Sequence, residues 1–375
     1  MRGIFLGSVL SRDLVFATME STMDIAVGLS GGVDSSMAAV LLKERGHHVV
    51  GVTMRLWDGR YRGGERDACF GAGEEKDIEA AASFARAVGI EYHVFDCSRA
   101  YDEAIVAYFR KTYLEGRTPN PCVRCNALMK FGLLPDLAAR SGISFDHFAT
   151  GHYARVARRS NGRFAVLRAV DEAKDQSYFL YRLSQAQLAR QLFPLGEMRK
   201  EEVRAKARAL GLAAADKPDS QDFYSGDVAE LIGEPDRPGD IVDLAGHVVG
   251  RHTGFWHYTI GQRKGLGIGG AGEPYYVVEL NACRNQVVVG RANEAVRTEL
   301  AVVDFVPGAL SEAELEAAGR IPCTVKIRST GRPRGPAFLE GRRCVFPEGL
   351  AGVAPGQSAV FYGADGEILA GGVIA

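Results

Sequence analysis

The sequence has no long hydrophobic run. The apolar stretch at residues 4–10 is too short to span a bilayer, and charged residues follow it at once. It also lacks the small-residue cleavage site of a signal peptide. Because Met19 and Met23 closely precede the first predicted strand, we interpret residues 1–22 as an N-terminal extension or a misassigned start. We therefore expect no membrane partner.

A disulfide framework is also missing. The seven cysteines are odd in number and scattered over 375 residues, and only Cys122 and Cys125 are close in sequence. Disulfide-rich folds belong to oxidising compartments, so this pattern predicts a protein of the reducing cytoplasm.

The chain has no large excess of either charge, since 45 Lys and Arg oppose 46 Asp and Glu. A nucleic-acid partner would have to be held by local basic patches. A length of 375 residues exceeds the usual size of one hydrophobic core, which predicts two or three domains.

A glycine-rich loop follows the first predicted strand, 24–29, and lacks the lysine of a Walker A motif. The loop, S-G-G-V-D-S at 30–35, leads into a predicted helix at 36–45 and a second strand at 49–54. Its glycines let backbone N–H groups approach an anion. Without a lysine for the γ phosphate, the motif matches the PP-loop of ATP pyrophosphatases, which holds a pyrophosphate leaving group. Asp34 is predicted to bind Mg²⁺, a cation that prefers oxygen ligands.

The alternation of strands and helices continues until it stops near residues 217–222. Residues 57–75 have no sustained period and predict a mobile loop near the active site. The strand at 145–150 should bring Gly151 and His152 to the same sheet edge as the PP-loop. The other predicted elements are helices 76–88 and 101–113 and strand 92–95.

A proline-containing loop at 116–121 leads directly into the C-x-x-C motif of Cys122 and Cys125. The dipole of the following predicted helix, 127–134, would favour reactive thiolates, and we expect that helix to end before Pro135. Two semi-buried cysteines without chemistry are the alternative. A structural zinc site would need a second C-x-x-C or a suitably spaced His pair, which the sequence lacks.

Basic residues are concentrated late in the chain. The predicted helix at 198–210 carries five of them, and either a solvated face or a phosphate contact fits this pattern. Alternation in the strand 323–328 would place Lys326 and Arg328 on one exposed face. With Glu340 as the only nearby opposing charge, further arginines would complete a basic edge: Arg332, Arg334, Arg342 and Arg343. Short strands at 301–305, 323–328, 343–346, 358–362 and 368–373 predict a small barrel.

Together these motifs resemble the bacterial tRNA-specific 2-thiouridylase family, which makes 2-thiouridine at the wobble base of certain tRNAs. The resemblance covers nearly everything after residue 22 and rests on seven stretches: S-G-G-V-D-S, G-R-T-P-N-P-x-x-x-C-N, A-T-G-H-Y, K-D-Q-S-Y-F-L, K-P-D-S, T-I-G-Q-R-K-G-L-G-I-G-G and P-G-Q-S-A-V-F-Y. It implies an α/β fold with a parallel-sheet PP-loop domain at 23–222, a small central domain at 223–296 and a C-terminal β-barrel at 297–375.

The resemblance also implies partners and site residues. The cofactors would be ATP and Mg²⁺, and the partners would be tRNA and a sulfur-donor protein or sulfide. Cys125 would be the catalytic cysteine. The ATP site would comprise Gly28, Leu29, Ser30, Gly31, Gly32, Val33, Asp34, Ser35, Met54 and Gly151. The tRNA contacts would be His152, Lys174, Asp175, Gln176, Arg328, Ser329 and Gln357.

One departure from the family affects sulfur transfer. The usual motif D-S-x-x-x-C places a second catalytic cysteine, the persulfide carrier, where this chain has Tyr224, and a phenol cannot carry sulfur. Cys122 stands where many members have an acidic residue. Either Cys122 and Cys125 exchange a persulfide, or they ligate an iron–sulfur cluster with Cys69 or Cys97 as third ligand. We favour the cluster, with Cys69, because vicinal thiols would otherwise tend to close into an unproductive disulfide.

The leading hypothesis is ATP-dependent 2-thiolation of tRNA, in which adenylation of the uridine O2 activates C2 for a sulfur nucleophile. A PP-loop ligase acting on a small metabolite is the first alternative, but it would not require a basic barrel. The second is a tRNA-binding homologue that has lost thiolation, which would need neither the PP-loop motif nor Cys125.

Overall fold

The computed structural model of the protein describes residues 13–14, 21–64, 68–218, 222–268 and 273–375. Most of the predicted N-terminal extension lies outside these residues, as do Asp219 and Ser220 of the K-P-D-S motif. None of the described helices is long and apolar enough to cross a membrane.

The PP-loop domain is built on parallel strands. Within the described residues, five strands pair in the order β5-β3-β2-β6-β9. Strand β2 lies at the centre, and its core residues Ile25, Ala26 and Val27 are buried, as expected where helices cover both sheet faces. The strands are β1 (Asp13–Leu14), β2 (Asp24–Gly28), β3 (His48–Arg55), β4 (Ala68–Phe70), β5 (Glu91–Asp96), β6 (His147–Thr150), β7 (Ala154–Arg158), β8 (Phe164–Arg168), β9 (Gln191–Leu192) and β10 (Asp222–Tyr224). The helices are α1 (Val33–Glu44), α2 (Glu74–Val88), α3 (Ser98–Tyr101), α4 (Ala107–Leu114), α5 (Pro121–Cys125), α6 (Leu134–Arg140), α7 (Gln185–Leu188), α8 (Lys200–Ala209) and α9 (Val228–Ile232).

The helical segment that carries the two close cysteines differs from its prediction. Helix α5 continues through a π-helical segment, Asn126–Leu133, directly into α6. Pro135 therefore does not end a helix, because it lies where the π-helical segment passes directly into α6. Another π-helical segment, Asp102–Val106, joins α3 to α4.

The segment 57–75, predicted to be irregular, contains strand β4 and the start of α2. Strand β4 pairs in parallel with β10, with Phe70 opposite Tyr224. This pairing joins segments about 150 residues apart, so no local pattern could reveal it.

The central domain has the strand order β12-β11-β14-β13. Its buried Ile241 and Val287 share one hydrophobic cluster with Tyr101 and Met129 of the PP-loop domain. The central sheet is therefore packed against the helices that carry the C-x-x-C motif. Its strands are β11 (Gly239–Asp243), β12 (Val248–His252), β13 (Tyr276–Asn281) and β14 (Gln286–Gly290).

A closed barrel follows in residues 273–375, all of which are described, with the strand order β15-β18-β17-β16-β19-β20. The α/β class with a PP-loop domain, a central domain and a C-terminal barrel is thereby confirmed. The barrel elements are β15 (Val296–Pro307), α10 (Glu312–Ala318), β16 (Arg320–Lys326), β17 (Arg334–Glu340), β18 (Arg343–Ala351), β19 (Ser358–Tyr362) and β20 (Ile368–Ile374).

Two expectations about the barrel surface are wrong. Lys326 is not exposed: only 6% of it is accessible, because the PP-loop domain covers this part of β16, with the ring centroid of Tyr178 lying 5.7 Å from its ammonium. The arginine edge is also not opposed by Glu340 alone. Arg342 pairs with Glu312 at 2.9 Å, and Arg343 pairs with Glu299 and Glu340.

Candidate active site

The PP-loop is a tight turn that side-chain hydroxyls hold together. The Ser30 N–H donates to Ser35 Oγ at 3.1 Å, and Ser35 Oγ donates to the Gly32 carbonyl at 3.2 Å. Gly31 has a φ of +70°, and a Cβ there would come within 2.4 Å of the Asp77 carbonyl oxygen. Only glycine fits this position, since both the backbone conformation and the space exclude a side chain.

A cavity of about 310 Å³ opens above this loop, a volume in the range of small-molecule sites. It lies at the carboxyl edge of the sheet, and Gly151 forms part of its wall. A Cβ on Gly151 would lie 2.5 Å from the carbonyl carbon of Asp34, so the two segments can approach only because this residue is glycine. Of the residues that the resemblance assigns to ATP, the lining includes Gly28, Leu29, Ser30, Gly32, Val33, Asp34, Ser35, Met54 and Gly151.

The Asp34 carboxylate is held by two side chains that the sequence analysis missed. Lys200 Nζ donates to both of its oxygens, at 2.7 and 2.8 Å, and the Tyr153 hydroxyl donates to Oδ1 at 2.9 Å. Lys200 is only 6% exposed. The motif lacks a lysine in sequence, yet the fold brings one to its aspartate from the start of α8. The position of Lys200 on a basic helix gave no signal of this role.

The other basic residues of helix α8 mostly bond within the protein. Lys206 pairs with Glu44, and Arg208 pairs with Asp216 at 2.8 Å. Arg204 donates to the carbonyl of Lys217 at 3.0 Å. Of the two interpretations of this helix, these contacts favour a solvated, charge-balanced face over a phosphate contact.

Cys125 lies at the end of α5, where the chain continues as helix, and not at a free N-terminus. Burial raises the pKa of its thiol to about 12, although the charge of Lys130 opposes the increase. The expectation that the helix dipole favours a thiolate is therefore wrong for Cys125, because desolvation outweighs the dipole.

The charges of three cysteines act on one buried phenol, that of Tyr101. Burial raises the pKa of Tyr101 well above its usual value, and Cys125, Cys122 and Cys69 add to the increase through their charges. Cys69 is exposed and lines the cavity, whereas Cys97 is buried. Among the described residues, no group of three His, Cys, Asp or Glu side chains is arranged to hold a metal ion.

Tyr224 occupies the position of the missing second cysteine and has a packing role. It is 3% exposed, accepts a hydrogen bond from the Gly63 N–H at 3.1 Å and donates to Glu230. Its ring lies 5.7 Å from that of Phe70, centroid to centroid. Tyr224 thereby fixes strand β4, and Cys69 on that strand faces the cavity.

The predicted tRNA residues near the cavity have different environments. His152 is buried, with Nδ1 2.7 Å from Thr150 Oγ1, and burial lowers the pKa of its imidazole well below the usual value. Lys174 and Gln176 line the cavity. The Asp175 side chain is 2% exposed and accepts hydrogen bonds from the backbone of Ala169 and from Ser177, so it stabilises the turn.

The remaining predicted tRNA residues meet in a second hollow, the interdomain groove, of about 350 Å³. It is lined by Arg328, Ser329 and Gln357 of the barrel together with Gly261 of the central domain and Thr118 of the PP-loop domain. Gln357 Nε2 donates to the Pro119 carbonyl at 2.8 Å, which links the barrel to the loop before the C-x-x-C motif.

Comparisons with known proteins cover almost the whole chain. Three family models match it: tRNA methyl transferase HUP domain at residues 23–224, tRNA methyl transferase PRC-barrel domain at 229–291 and aminomethyltransferase beta-barrel domain at 311–374. The chain is 43% identical to "tRNA-specific 2-thiouridylase MnmA" of Endomicrobium trichonymphae over 95% of this chain and 100% of the relative. It is 44% identical to the protein of the same name from Rhodospirillum rubrum, over 93% and 95%. A solved 4-thiouridine synthetase–RNA complex with bound ATP aligns over 57% of this chain and 46% of that one, at 16% identity and a TM-score of 0.35.

Proposed function

The chain belongs to the family of the tRNA-specific 2-thiouridylases, and we propose that it performs ATP-dependent 2-thiolation of the wobble uridine of tRNA. One observation carries the proposal. A single cavity is lined by the PP-loop, by Gly151 and His152, and by Cys69, while Lys130 in its wall acts electrostatically on Cys125. The groups needed to activate a base and to supply sulfur therefore converge at one sheet edge.

The proposed reaction has two steps. The uridine O2 attacks the α phosphorus of ATP, and the bond to the β-phosphate oxygen breaks and releases pyrophosphate. A sulfur nucleophile then attacks C2, and AMP leaves with the former uridine oxygen. The hydroxyls and N–H groups of the PP-loop suit the pyrophosphate that forms in the first step.

The site fits the two expected cofactors. Gly151 and Asp34 lie in close contact at the start of α1, and both line the cavity. ATP bound there would present its α phosphate to the uridine. Each Asp34 oxygen accepts from Lys200, but a carboxylate has about four lone-pair sites, so Asp34 retains capacity for Mg²⁺. Lys200 would then keep the carboxylate oriented.

We propose Cys69, Cys122 and Cys125 as the groups that handle sulfur. In a persulfide route, a persulfide on the donor protein transfers its outer sulfur to the Cys125 thiolate, and the terminal sulfur of the resulting Cys125 persulfide attacks C2 as AMP leaves. The Cys122 thiolate then attacks Cys125 Sγ and releases the thiouridine, and an external dithiol reduces the resulting disulfide. An iron–sulfur cluster is the other route. Since the described residues show no arranged set of three ligands, we derive no step through a cluster.

The proposal extends to the partners and the compartment. The interdomain groove and the cavity residues His152, Lys174 and Gln176 would contact tRNA, and the sulfur donor would be a protein or sulfide. All seven cysteines are described and none forms a disulfide, which supports a cytoplasmic location. The domain boundaries at 22/23, 222/223 and 296/297 stay predictions.

The test follows the fate of ATP. Purified protein is incubated with ATP, unmodified tRNA, a dithiol and, in parallel reactions, sulfide or a protein persulfide as the sulfur source. Nucleotides are separated by chromatography, and tRNA nucleosides are measured by mass spectrometry. We expect AMP, pyrophosphate and 2-thiouridine in equal amounts. ADP as the tRNA-dependent product would contradict the proposal. AMP formation that ignores tRNA would indicate a small-metabolite ligase, and tRNA binding without AMP would indicate a homologue that has lost thiolation.

A second test separates the sulfur routes. Protein purified without oxygen is analysed for iron and acid-labile sulfide and assayed for thiolation, alongside Cys69→Ser, Cys122→Ser and Cys125→Ser. Full activity in iron-free protein would exclude the cluster. Full activity of Cys122→Ser would exclude both routes, and undiminished activity of Cys125→Ser would overturn its catalytic assignment.

A further inference from the structure

Lys130 is a cavity lysine that neither the motifs nor the resemblance singles out. It lies in the π-helical segment Asn126–Leu133 and lines the same cavity as Ser30, Gly32 and Ser35. Its ammonium makes no hydrogen bond or ion pair with any residue that the structure describes. Lys217, another lysine of the cavity wall, is instead paired with Asp77. π-Helical insertions are frequent at functional sites, because the extra residue reorients the side chains that follow.

The charge of Lys130 acts on the residues at the part of the cavity nearest to the catalytic cysteine. The same ammonium lowers the pKa of Cys125 and that of His152. His152 lines the same cavity as Lys130, and because electrostatic effects weaken with distance, the effect on both side chains points to a charge near them. The PP-loop lines the same cavity, so Lys130 shares that cavity with the pyrophosphate cradle while its charge acts on the cysteine.

That position defines which phosphate Lys130 can reach. The loop accounts for the β and γ phosphates, and the uridine must lie close to Cys125 for sulfur to reach C2. The α phosphate, which joins these two parts, must therefore lie between them. Lys130 is only partly exposed, and an ammonium with no partner among the described residues suits an anion that occupies the cavity during the reaction cycle.

We propose that Lys130 is a catalytic residue that binds the α phosphate of ATP while the tRNA base is adenylated and keeps that contact on the departing AMP. This inference rests on the proposed function. As the bond from O2 to phosphorus forms and the bond to the pyrophosphate oxygen breaks, negative charge builds on the oxygens of the α phosphate. The ammonium stabilises that charge, and the uridine N3 proton leaves to solvent.

The experiment separates adenylation from sulfur transfer. Pyrophosphate release, thiouridine formation and the Kd for ATP are measured for wild type, Lys130→Met and Lys130→Gln. Lys111→Met is the matched control, because Lys111 is 77% exposed on α4 and, among the described residues, pairs with Glu115 alone. We expect tRNA-dependent pyrophosphate release to be at least 100-fold slower in both Lys130 variants, because they lose a charge that acts mainly in the transition state. The Kd for ATP should rise less than about tenfold. The control variant should behave like wild type.

Each other outcome is decisive. Normal pyrophosphate release with lost thiolation would assign Lys130 to the sulfur and overturn the inference. Equal rates in wild type and variants would overturn it as well. If the methionine variant does not fold, the glutamine variant, which keeps a polar side chain of similar length, decides. Failure of the proposed function is distinguishable, because wild type itself would then form no AMP with tRNA.

Discussion

The nucleotide cavity and the interdomain groove are built in different ways. The cavity lies at the edge of one parallel sheet, and part of its wall is formed by backbone of Gly28–Ser35 and Gly151 in close contact, beside side chains such as Lys130. The groove is assembled from three domains, and its chemistry comes from side chains such as Arg328. In the proposed function, chemistry that needs sub-ångström placement would depend on fixed backbone, whereas recognition of tRNA would use side chains that can adjust.

The difference predicts unequal sensitivity to mutation. In the cavity, one methyl group at Gly151 would meet backbone atoms that cannot move independently. In the groove, Arg328 is exposed and makes one hydrogen bond, to the Gly352 carbonyl at 3.3 Å. Changes in the cavity should abolish chemistry, and changes in the groove should weaken binding by degrees.

Gly151→Ala should have the largest effect. Its Cβ would lie 2.5 Å from Asp34 C and 2.6 Å from Ser35 N, so the start of α1 must shift. We expect tRNA-dependent AMP formation to fall by roughly 100-fold or more, as expected when catalytic groups move by about 1 Å. The tRNA Kd should stay within twofold. Gly73→Ala is the control, because a Cβ there meets nothing within 4 Å. Near-normal AMP formation in Gly151→Ala would show that the cavity is not rigid.

Glu74→Gln tests a buried charge in the cavity wall. Desolvation raises the pKa of Glu74 from 4.5 to about 7, although its carboxylate accepts from the Leu56 and Trp57 N–H groups. Between these pH values the folded state keeps a proton that the unfolded state has lost. Stability contributed by this group is therefore complete below pH 4.5 and is lost as the pH rises through 7, by about 2 kcal/mol after allowance for partial exposure.

Urea unfolding of the PP-loop domain at pH 5 and pH 7.5 measures this effect. Wild type should lose stability over that interval, and Glu74→Gln should lose about 2 kcal/mol less. Glu75→Gln, at a side chain that is 72% exposed, should behave like wild type. Parallel pH profiles for wild type and Glu74→Gln would mean that the cavity wall tolerates the ionised carboxylate.

The same contrast explains what the sequence could predict. The PP-loop, its flanking strand and helix, and Gly151 follow from short local patterns, and the structure places them together. The contact of Lys200 with Asp34 joins residues 166 positions apart, and the pairing of β4 with β10 is similarly remote. The burial of Lys326 and the raised pKa of Cys125 both arise from packing between elements. The alternation of residues along a strand and the position of a residue in a helix cannot predict such packing.

Arg328→Ala should have the smallest effect and most sharply tests the groove. Arg328 makes no ion pair with the described residues, so its guanidinium can neutralise one phosphate of tRNA and release one counterion. We expect the tRNA Kd to rise about fivefold near 0.1 M salt, and the slope of log affinity against log salt concentration to fall by about one unit, with ATP affinity unchanged.

Arg342→Ala is the matched control, because Arg342 already pairs with Glu312 at 2.9 Å. Its removal should change the slope by less than half a unit. Binding titrations at four salt concentrations measure both. Equal slopes for the two variants would mean that ion pairing within the barrel does not decide which arginines meet tRNA. Lost ATP affinity in Arg328→Ala would instead couple the groove to the cavity and remove the distinction between them.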